Sequence, residues 1–119
     1  MDAKFDCVAD PRRNLMRVKM AGFFSEEDVQ RFAGAYRSLL PQLDAPGHLT
    51  LVDIKQMQIQ PQSVVGAFST LLASPDVRSL RLAFVCSSTL ARLQAQRLTD
   101  RAGVRFFEDE AEAETWLLG

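Results

Sequence analysis

The sequence predicts one α/β domain built on a single mixed five-stranded sheet with four helices, in the order β-β-α-β-α-β-α-β-α. Short segments with strand patterning alternate along the chain with segments of helical periodicity. A short turn with Pro and Asn at residues 10–14 separates the first two strands, which therefore pair antiparallel. The 119 residues suffice for one domain with its own core, and no linker or repeat divides them.

The first half begins with two predicted strands, at residues 3–9 and 15–20, and polar and apolar residues alternate in the second. Gly22 ends that strand. Ser25 is a suitable N-cap, and the acidic residues after it suit the dipole of a first helix. The apolar face of this helix recurs at helical spacing at Val29, Phe32, Ala33, Tyr36, Leu39, Leu40 and Leu43.

Three further strands alternate with helices in the second half, and they are expected at residues 49–54, 80–86 and 104–107. A polar loop is expected at 55–62. Ser63 and Ser88 are the expected N-caps of the second and third helices, and Gly103 is expected just past the end of the third. The last helix is expected to bury Ala113, Trp116 and Leu117. Strand–helix–strand units of this length imply parallel neighbours joined by right-handed crossovers.

The charges of the chain are nearly balanced, with a net charge of −1, which argues against a nucleic-acid partner. They are unevenly distributed, because residues 75–107 carry six arginines and two aspartates, whereas residues 108–119 carry five acids and no base. Solvated helix faces and helix-end electrostatics explain this pattern most simply. The alternative is a patch for an anion or an acidic partner along Arg92, Arg97 and Arg101.

One histidine and two cysteines cannot form a zinc site or a disulfide scaffold, and we expect no metal and no cofactor. Cys7 and Cys86 are expected to pack as small apolar residues of a cytoplasmic protein. No signal peptide or membrane span is expected. A helix start just after Cys86 would lower its thiol pKa. No nucleophile, base and orienting group come from neighbouring motifs, however, so we expect a protein that is not an enzyme.

Four segments carry a resemblance to a known family, at residues 20–25 (MAGFFS), 51–53 (LVD), 81–85 (RLAFV) and 106–117 (FFEDEAEAETWL). Together with the element order, they resemble the STAS domain (sulfate transporter and anti-sigma-factor antagonist). The chain is most similar to the small stand-alone bacterial proteins of the SpoIIAA-like branch. The resemblance covers nearly the whole chain and implies the same α/β fold.

The resemblance also implies a regulatory function exerted by binding. Anti-sigma-factor antagonists of this family bind a protein kinase partner and are switched by phosphorylation in an Asp-Ser-Ser/Thr-Gly stretch at the start of the second helix. Residues 60–66 (QPQSVVG) occupy that region here, with Pro61 and Gln62 in place of the acidic residue and the serine. We therefore expect the family switch to be absent. Ser63 is the hydroxyl nearest to it, and a phosphate there would still suit the helix dipole.

The preferred candidate site is a surface that docks a protein partner, formed by Met57, Ile59, Gln62 and Ser63. Four glutamines alternate with Met57, Ile59 and Pro61 in this segment, which follows a parallel strand, and open α/β sheets bind their ligands at that end. Met side chains suit adaptable docking surfaces. The alternative is that Met57 and Ile59 fold back onto the core.

A second candidate of a different class is a site for a small anionic or apolar ligand at the same end of the sheet. Its residues are Asp53, Ser87, Ser88 and Arg92, where a helix start offers N–H groups and hydroxyls to an anion. A closed apolar cavity between the second and third helices would favour a ligand, whereas a flat edge with exposed Met57 and Ile59 would favour a protein partner. The first and last strands are the expected sheet edges, and an uncovered edge would allow a homodimer.

Overall fold

A five-stranded sheet in the order β1-β2-β3-β4-β5 organises the computed structural model, which describes residues 2–99 and 101–119. β1 pairs antiparallel with β2, and every later pair is parallel. This confirms the predicted mixed sheet. In the part of the chain that the structure describes, the elements are β1 (Lys4–Asp10), β2 (Leu15–Gly22), α1 (Glu26–Leu39), β3 (Leu49–Met57), α2 (Gln62–Ala73), β4 (Arg81–Val85), α3 (Thr89–Gln96), β5 (Val104–Phe107) and α4 (Glu110–Leu118).

The two faces of the sheet are covered unequally, as right-handed crossovers between consecutive parallel strands require. Helices α1, α2 and α3 lie on one face over the larger core cluster, which contains Phe32, Val52, Phe68 and Phe84. Helix α4 alone covers the other face, where Ala113 and Leu117 pack on Leu15, Leu51, Ala83 and Val85. Strands β1 and β5 are the edges, as predicted, and a homodimer through an edge stays a prediction.

The third strand is three residues longer than predicted, because β3 runs to Met57 rather than ending at Ile54. The end of β2 explains the extension, since Ala21 and Gly22 pair with Gln56 and Met57 after an irregularity in the register. Lys55 to Met57 are therefore strand residues, and the loop before α2 is reduced to residues 58–61. The polar residues after Ile54 predict a loop. They are strand residues because they pair with the end of β2, which is distant in sequence.

Two helix ends also differ from the sequence prediction. Pro61, not Ser63, is the N-cap of α2, so Ser63 lies within the first helical turn. Helix α3 ends at Gln96 instead of continuing toward Gly103, and the hydroxyl of Ser69 in α2 donates a hydrogen bond to the carbonyl of Leu98 beyond its end. The other caps are confirmed, because Ser25 forms a capping box with Asp28 and the hydroxyl of Ser88 accepts from the N–H of Ala91.

The last helix is held by more than its apolar stripe. Trp116 is half-buried rather than fully buried as predicted, and its ring packs against Phe107 with the guanidinium groups of Arg81 and Arg105 near its faces. Glu114 accepts hydrogen bonds from both Arg13 and Arg17 of the β1–β2 hairpin. These contacts lower the pKa of Glu114, with Arg17 as the main cause. The acidic side chains of α4 thus form ion pairs with the β1–β2 hairpin, in addition to their favourable interaction with the helix dipole.

Gly103 is required by geometry at the turn into β5. Its φ is +86°, and a Cβ atom there would lie 2.7 Å from the carbonyl oxygen of Leu80. We expect Gly103→Ala to lower the free energy of unfolding by about 2 kcal/mol in urea denaturation. The matched control is Gly66→Ala in α2, where a Cβ meets no atom within 4 Å and should stabilise by about 0.5–1 kcal/mol. Equal stabilities for the two variants would contradict this account of Gly103.

Candidate functional site

Gln60 is the anchor of the loop at the carboxyl end of the sheet. Its side chain is 7% exposed, and its Oε1 accepts a hydrogen bond of 2.8 Å from the N–H of Phe24. Its Nε2 donates to the carbonyls of Gly22, at 2.8 Å, and Gln58, at 2.5 Å. Its backbone exchanges two hydrogen bonds of 2.9 Å with the side chain of Gln94 in α3. One buried glutamine therefore joins the end of β2, the β3–α2 loop and α3.

The four residues predicted to dock a partner do not form a single apolar ridge. Ile59 is 48% exposed, and Gln62 and Ser63 are exposed at the start of α2. Met57 is half-buried and packs against the core at the end of β3. Met57 thus follows the alternative in which the side chain folds back, whereas Ile59 does not. Both residues line a small groove whose other wall is α3.

Three further exposed apolar side chains lie close in sequence to Phe24 and Gln94, the residues that Gln60 joins. Phe23 precedes Phe24 and is 50% exposed, and Leu90 and Leu93 of α3 are 67% and 50% exposed. We call the set Phe23, Ile59, Leu90 and Leu93 the apolar edge. Large apolar side chains left exposed are candidates for contact with a partner.

Asp53, a residue of the second candidate site, lies within β3, which continues beyond it to Met57. Its carboxylate is 8% exposed and accepts a 3.0 Å hydrogen bond from the N–H of Lys55, where the pairing of β2 and β3 is irregular. The ammonium of Lys55 lies 3.9 Å from the same carboxylate. These contacts give Asp53 the structural role of holding the irregular part of the strand.

Ser87, Ser88 and Arg92 line a small polar pocket of about 90 Å³ at the start of α3. The Ser88 hydroxyl is engaged in capping, the Arg92 guanidinium lies 5.9 Å from the centre of the Phe106 ring, and Glu108 adds a negative charge to the wall. An anion site here stays a prediction, and the carboxylate of Glu108 opposes it. In the described residues 2–99 and 101–119, no three His, Cys, Asp or Glu side chains could hold a metal ion together.

Both cysteines have thiols that resist ionisation. Burial raises the pKa of Cys86, and Glu108 adds to this effect while Arg92 opposes it, so the expected lowering by the start of α3 does not prevail. Burial, aided by Asp6, raises the pKa of Cys7 to about 11. A thiolate is the reactive form of cysteine, and neither environment favours it.

An apolar cavity of about 70 Å³ lies between the sheet and α2. Its walls include Phe32 of α1, Val52 and Phe84 of the sheet, and Leu71 and Leu72 of α2. The cavity extends from Met57 at the carboxyl end of β3 to the polar side chains of Thr50, Ser79 and Arg101 near the opposite end of the sheet. An apolar space therefore exists that reaches from the carboxyl end of β3 to the opposite end of the sheet.

A chain of buried hydrogen bonds runs beside the polar end of this cavity. The hydroxyl of Tyr36 lies 2.7 Å from Nε2 of His48 and 2.8 Å from Oγ1 of Thr50, which lies 2.6 Å from Oγ of Ser79. His48 is fully buried, and burial lowers its pKa. Burial raises the pKa of Tyr36, although its hydrogen bonds to Thr50 and Ser79 oppose this. All four groups are therefore neutral near pH 7.

Sequence reasoning missed both the Gln60 anchor and this polar chain. Gln60 was one of four similar glutamines, and only the positions of Phe24 and Gln94 in space distinguish it. Thr50, a polar residue inside an otherwise apolar strand with a lone histidine two positions earlier, was the local signal for the polar chain. A buried hydroxyl needs a partner, and that requirement pointed to a network without identifying its members.

Within the described residues, no helix is long and apolar enough to cross a membrane. No protein-family model and no curated protein matches the sequence. The structure is similar to the crystal structure of an uncharacterized DUF3478-family protein with a SpoIIAA-like fold from Shewanella loihica PV-4. The TM-score is 0.73 at 20% identity over 97% of this chain and 93% of that chain.

A second similar structure is an anti-sigma factor antagonist from Mycobacterium paratuberculosis. The TM-score is 0.64 at 9% identity, over 96% of this chain and 94% of that chain. Both alignments span nearly whole chains and include the mixed sheet described above. At sequence identities of 20% and 9%, the comparisons show the fold alone. They confirm the predicted architecture, and this chain has the SpoIIAA-like fold of STAS domains.

Proposed function

We propose that this chain is a regulatory binding domain, not an enzyme, and that it docks a protein partner through the apolar edge. The observation that carries the proposal is Ile59, a branched apolar side chain 48% exposed on a loop that the buried Gln60 holds in place. A fixed loop loses little conformational entropy when it binds, so an exposed apolar group on it is a suitable anchor. Gln62 and Ser63 supply exposed polar groups beside it.

The charge of α3 indicates the chemistry of the partner. Arg92 is exposed on this helix and Arg97 is exposed at its C-cap, and α3 contains no acidic residue. Together with Leu90 and Leu93 they form a basic and apolar surface. We infer that the partner presents an acidic segment with apolar side chains, because complementary charges guide the encounter and apolar contacts hold the complex.

The fold neighbour named as an anti-sigma factor antagonist supports a partner of the anti-sigma-factor type. Pro61 and Gln62 stand where the resemblance places an acidic residue and a phosphorylated serine, and Ser63 is exposed within the helix rather than at its cap. Binding by this chain is therefore not switched by phosphate at those two positions. Ser63 is the hydroxyl at which a phosphate would act here, because it lies in the positively polarised first turn of α2.

The test uses the purified chain as bait in a lysate of its source organism, followed by titration calorimetry with the purified protein that it captures. Ile59→Asp removes the apolar anchor and repels an acidic partner. The matched control is Val8→Asp on edge strand β1, where an apolar side chain is 51% exposed away from the apolar edge. We expect one acidic protein to bind the parent and Val8→Asp equally, and Ile59→Asp at least tenfold more weakly.

Three results would overturn the docking proposal. The captured proteins could be the same for both variants, the captured protein could be a second copy of this chain, or Ile59→Asp could bind anionic lipid vesicles less well while protein capture is unchanged. The melting temperatures of the two variants should agree, because both residues are exposed.

A further inference from the structure

The cavity between the sheet and α2 has apolar walls and one polar end. Its walls are aliphatic and aromatic, with Met20, Val52, Phe68 and Leu82 among them, while its polar groups are gathered at the end formed by Thr50, Ser79, Arg78 and Arg101. An apolar space with a few convergent polar groups at one end is the usual form of a small-molecule site.

Arg101 is the group at this end whose bonding is incomplete. Its Nη1 donates a 3.0 Å hydrogen bond to the carbonyl of Ser79. Its Nε is buried and has no hydrogen-bond partner among the described residues. Buried N–H groups are nearly always paired in native proteins, so an unpaired one on a cavity wall points to a partner within the cavity.

A second guanidinium strengthens the positive charge at this end. Burial first, and the nearby Arg78 second, lower the pKa of Arg101 from its ordinary value. Neither arginine forms an ion pair with an acidic side chain in residues 2–99 or 101–119. Two neighbouring guanidinium groups without a described counter-ion repel each other, and an anion between them would remove that repulsion.

The hydroxyl groups nearby cannot supply that anion. Tyr36, Thr50 and Ser79 are neutral and already bond to one another and to His48. The cavity therefore has apolar walls along its length and positive charge at one end. The complementary molecule has an anionic head and a single apolar tail.

We propose that this cavity binds a monocarboxylate with an unbranched alkyl tail, the carboxylate lying at Arg101 and Arg78 and the tail between the sheet and α2. A guanidinium group matches the planar geometry of a carboxylate and can donate two parallel hydrogen bonds. This site is separate from the apolar edge and does not depend on the partner proposed above.

The size of the cavity adds a structural expectation. Its volume of about 70 Å³ is about half the ~150 Å³ of an engineered apolar cavity that takes up benzene. A longer tail therefore requires α2 to move outward. Because the nearest backbone neighbours of α2 are α1 and the short helix at residues 75–77 rather than the strands, the helix can shift without breaking sheet pairing.

The experiment titrates the purified chain with octanoate, using calorimetry for affinity and NMR amide shifts for location. Butanoate, hexanoate and decanoate define the tail length, and octanol and octylamine test the head group. We expect octanoate to bind saturably, octanol to bind at least tenfold more weakly, and octylamine not to bind. The shifted amides should lie in α2 and around Met57 and Ser79, at the two ends of the cavity.

Two variants and one control distinguish the contribution of the ligand's head group to binding from that of its tail. Arg101→Gln should weaken octanoate at least tenfold and leave octanol unchanged, because only the charged hydrogen bonds are lost. Leu71→Trp should fill the cavity and abolish binding of both. Arg12→Gln, which removes an exposed charge from the turn between β1 and β2, should change neither.

The proposal is overturned if no carboxylate of the series saturates the protein, or if octanol binds as tightly as octanoate. It is also overturned if Arg101→Gln and Arg12→Gln have equal effects. None of these results bears on the docking proposal, which is tested by Ile59→Asp and measured with a protein.

Discussion

Replacement of Gln60 by leucine should lower the free energy of unfolding by about 3 kcal/mol, the largest effect that we expect from one polar substitution in this chain. Leucine cannot accept from the N–H of Phe24, which would remain buried without a partner, and the carbonyl of Gly22 would keep only its bond from the N–H of Gln58. Each unpaired buried group costs about 1–3 kcal/mol. Urea denaturation, analysed as a two-state transition, measures the difference.

The matched control is Gln58→Leu, which changes the same residue type two positions earlier on the exposed surface. It should change stability by less than about 0.5 kcal/mol. Gln60→Leu should also make residues 58–61 the first site of proteolysis and weaken partner binding, since Ile59 would lose its fixed position. If Gln60→Leu is as stable as Gln58→Leu, water replaces the hydrogen bonds of Gln60 without loss of stability.

The architecture was predictable because it depends on local periodicity and on chirality. Alternation in β2 and helical spacing in α1 reflect which face of each element is buried, and those patterns are visible within a few residues. Right-handed crossovers then leave few arrangements for parallel strands. The capping residues Ser25 and Ser88 were also identifiable, since a cap bonds to a backbone N–H only three residues away.

The site was less predictable because its interactions join residues far apart in the chain. Gln60 bonds to residues 36 positions before it and 34 after it, and Thr50 bonds to Ser79 across 29 positions. The same limit explains the length of β3, whose last residues are strand only because the end of β2 lies beside them. Local reasoning correctly placed Ile59 on an exposed loop, whereas Met57 is turned inward by strand pairing that no local pattern shows.

The lone histidine should make the stability of this protein fall with acidity. His48 is buried as a neutral ring that bonds to Tyr36, and its pKa is lowered from the ordinary 6.5. At a pH below about 6.5 the unfolded chain binds a proton at this position that the folded chain does not, so the free energy of unfolding decreases as pH falls. The loss begins as pH falls through the ordinary pKa of 6.5 and stops where the folded chain takes up its own proton at the lowered pKa.

Denaturation curves across this range, compared with His48→Gln, test the assignment. The variant should be less stable near pH 7 but should lose less stability between pH ~7 and ~5, because glutamine has no proton to gain. Glu114 and Asp76 do not interfere in that window, since their pKa values are lowered from the ordinary 4.5 and 3.8 and their contributions are lost only at more acidic pH. Parallel curves for the two proteins would mean that His48 accepts its proton in the folded state, which the burial of its ring argues against.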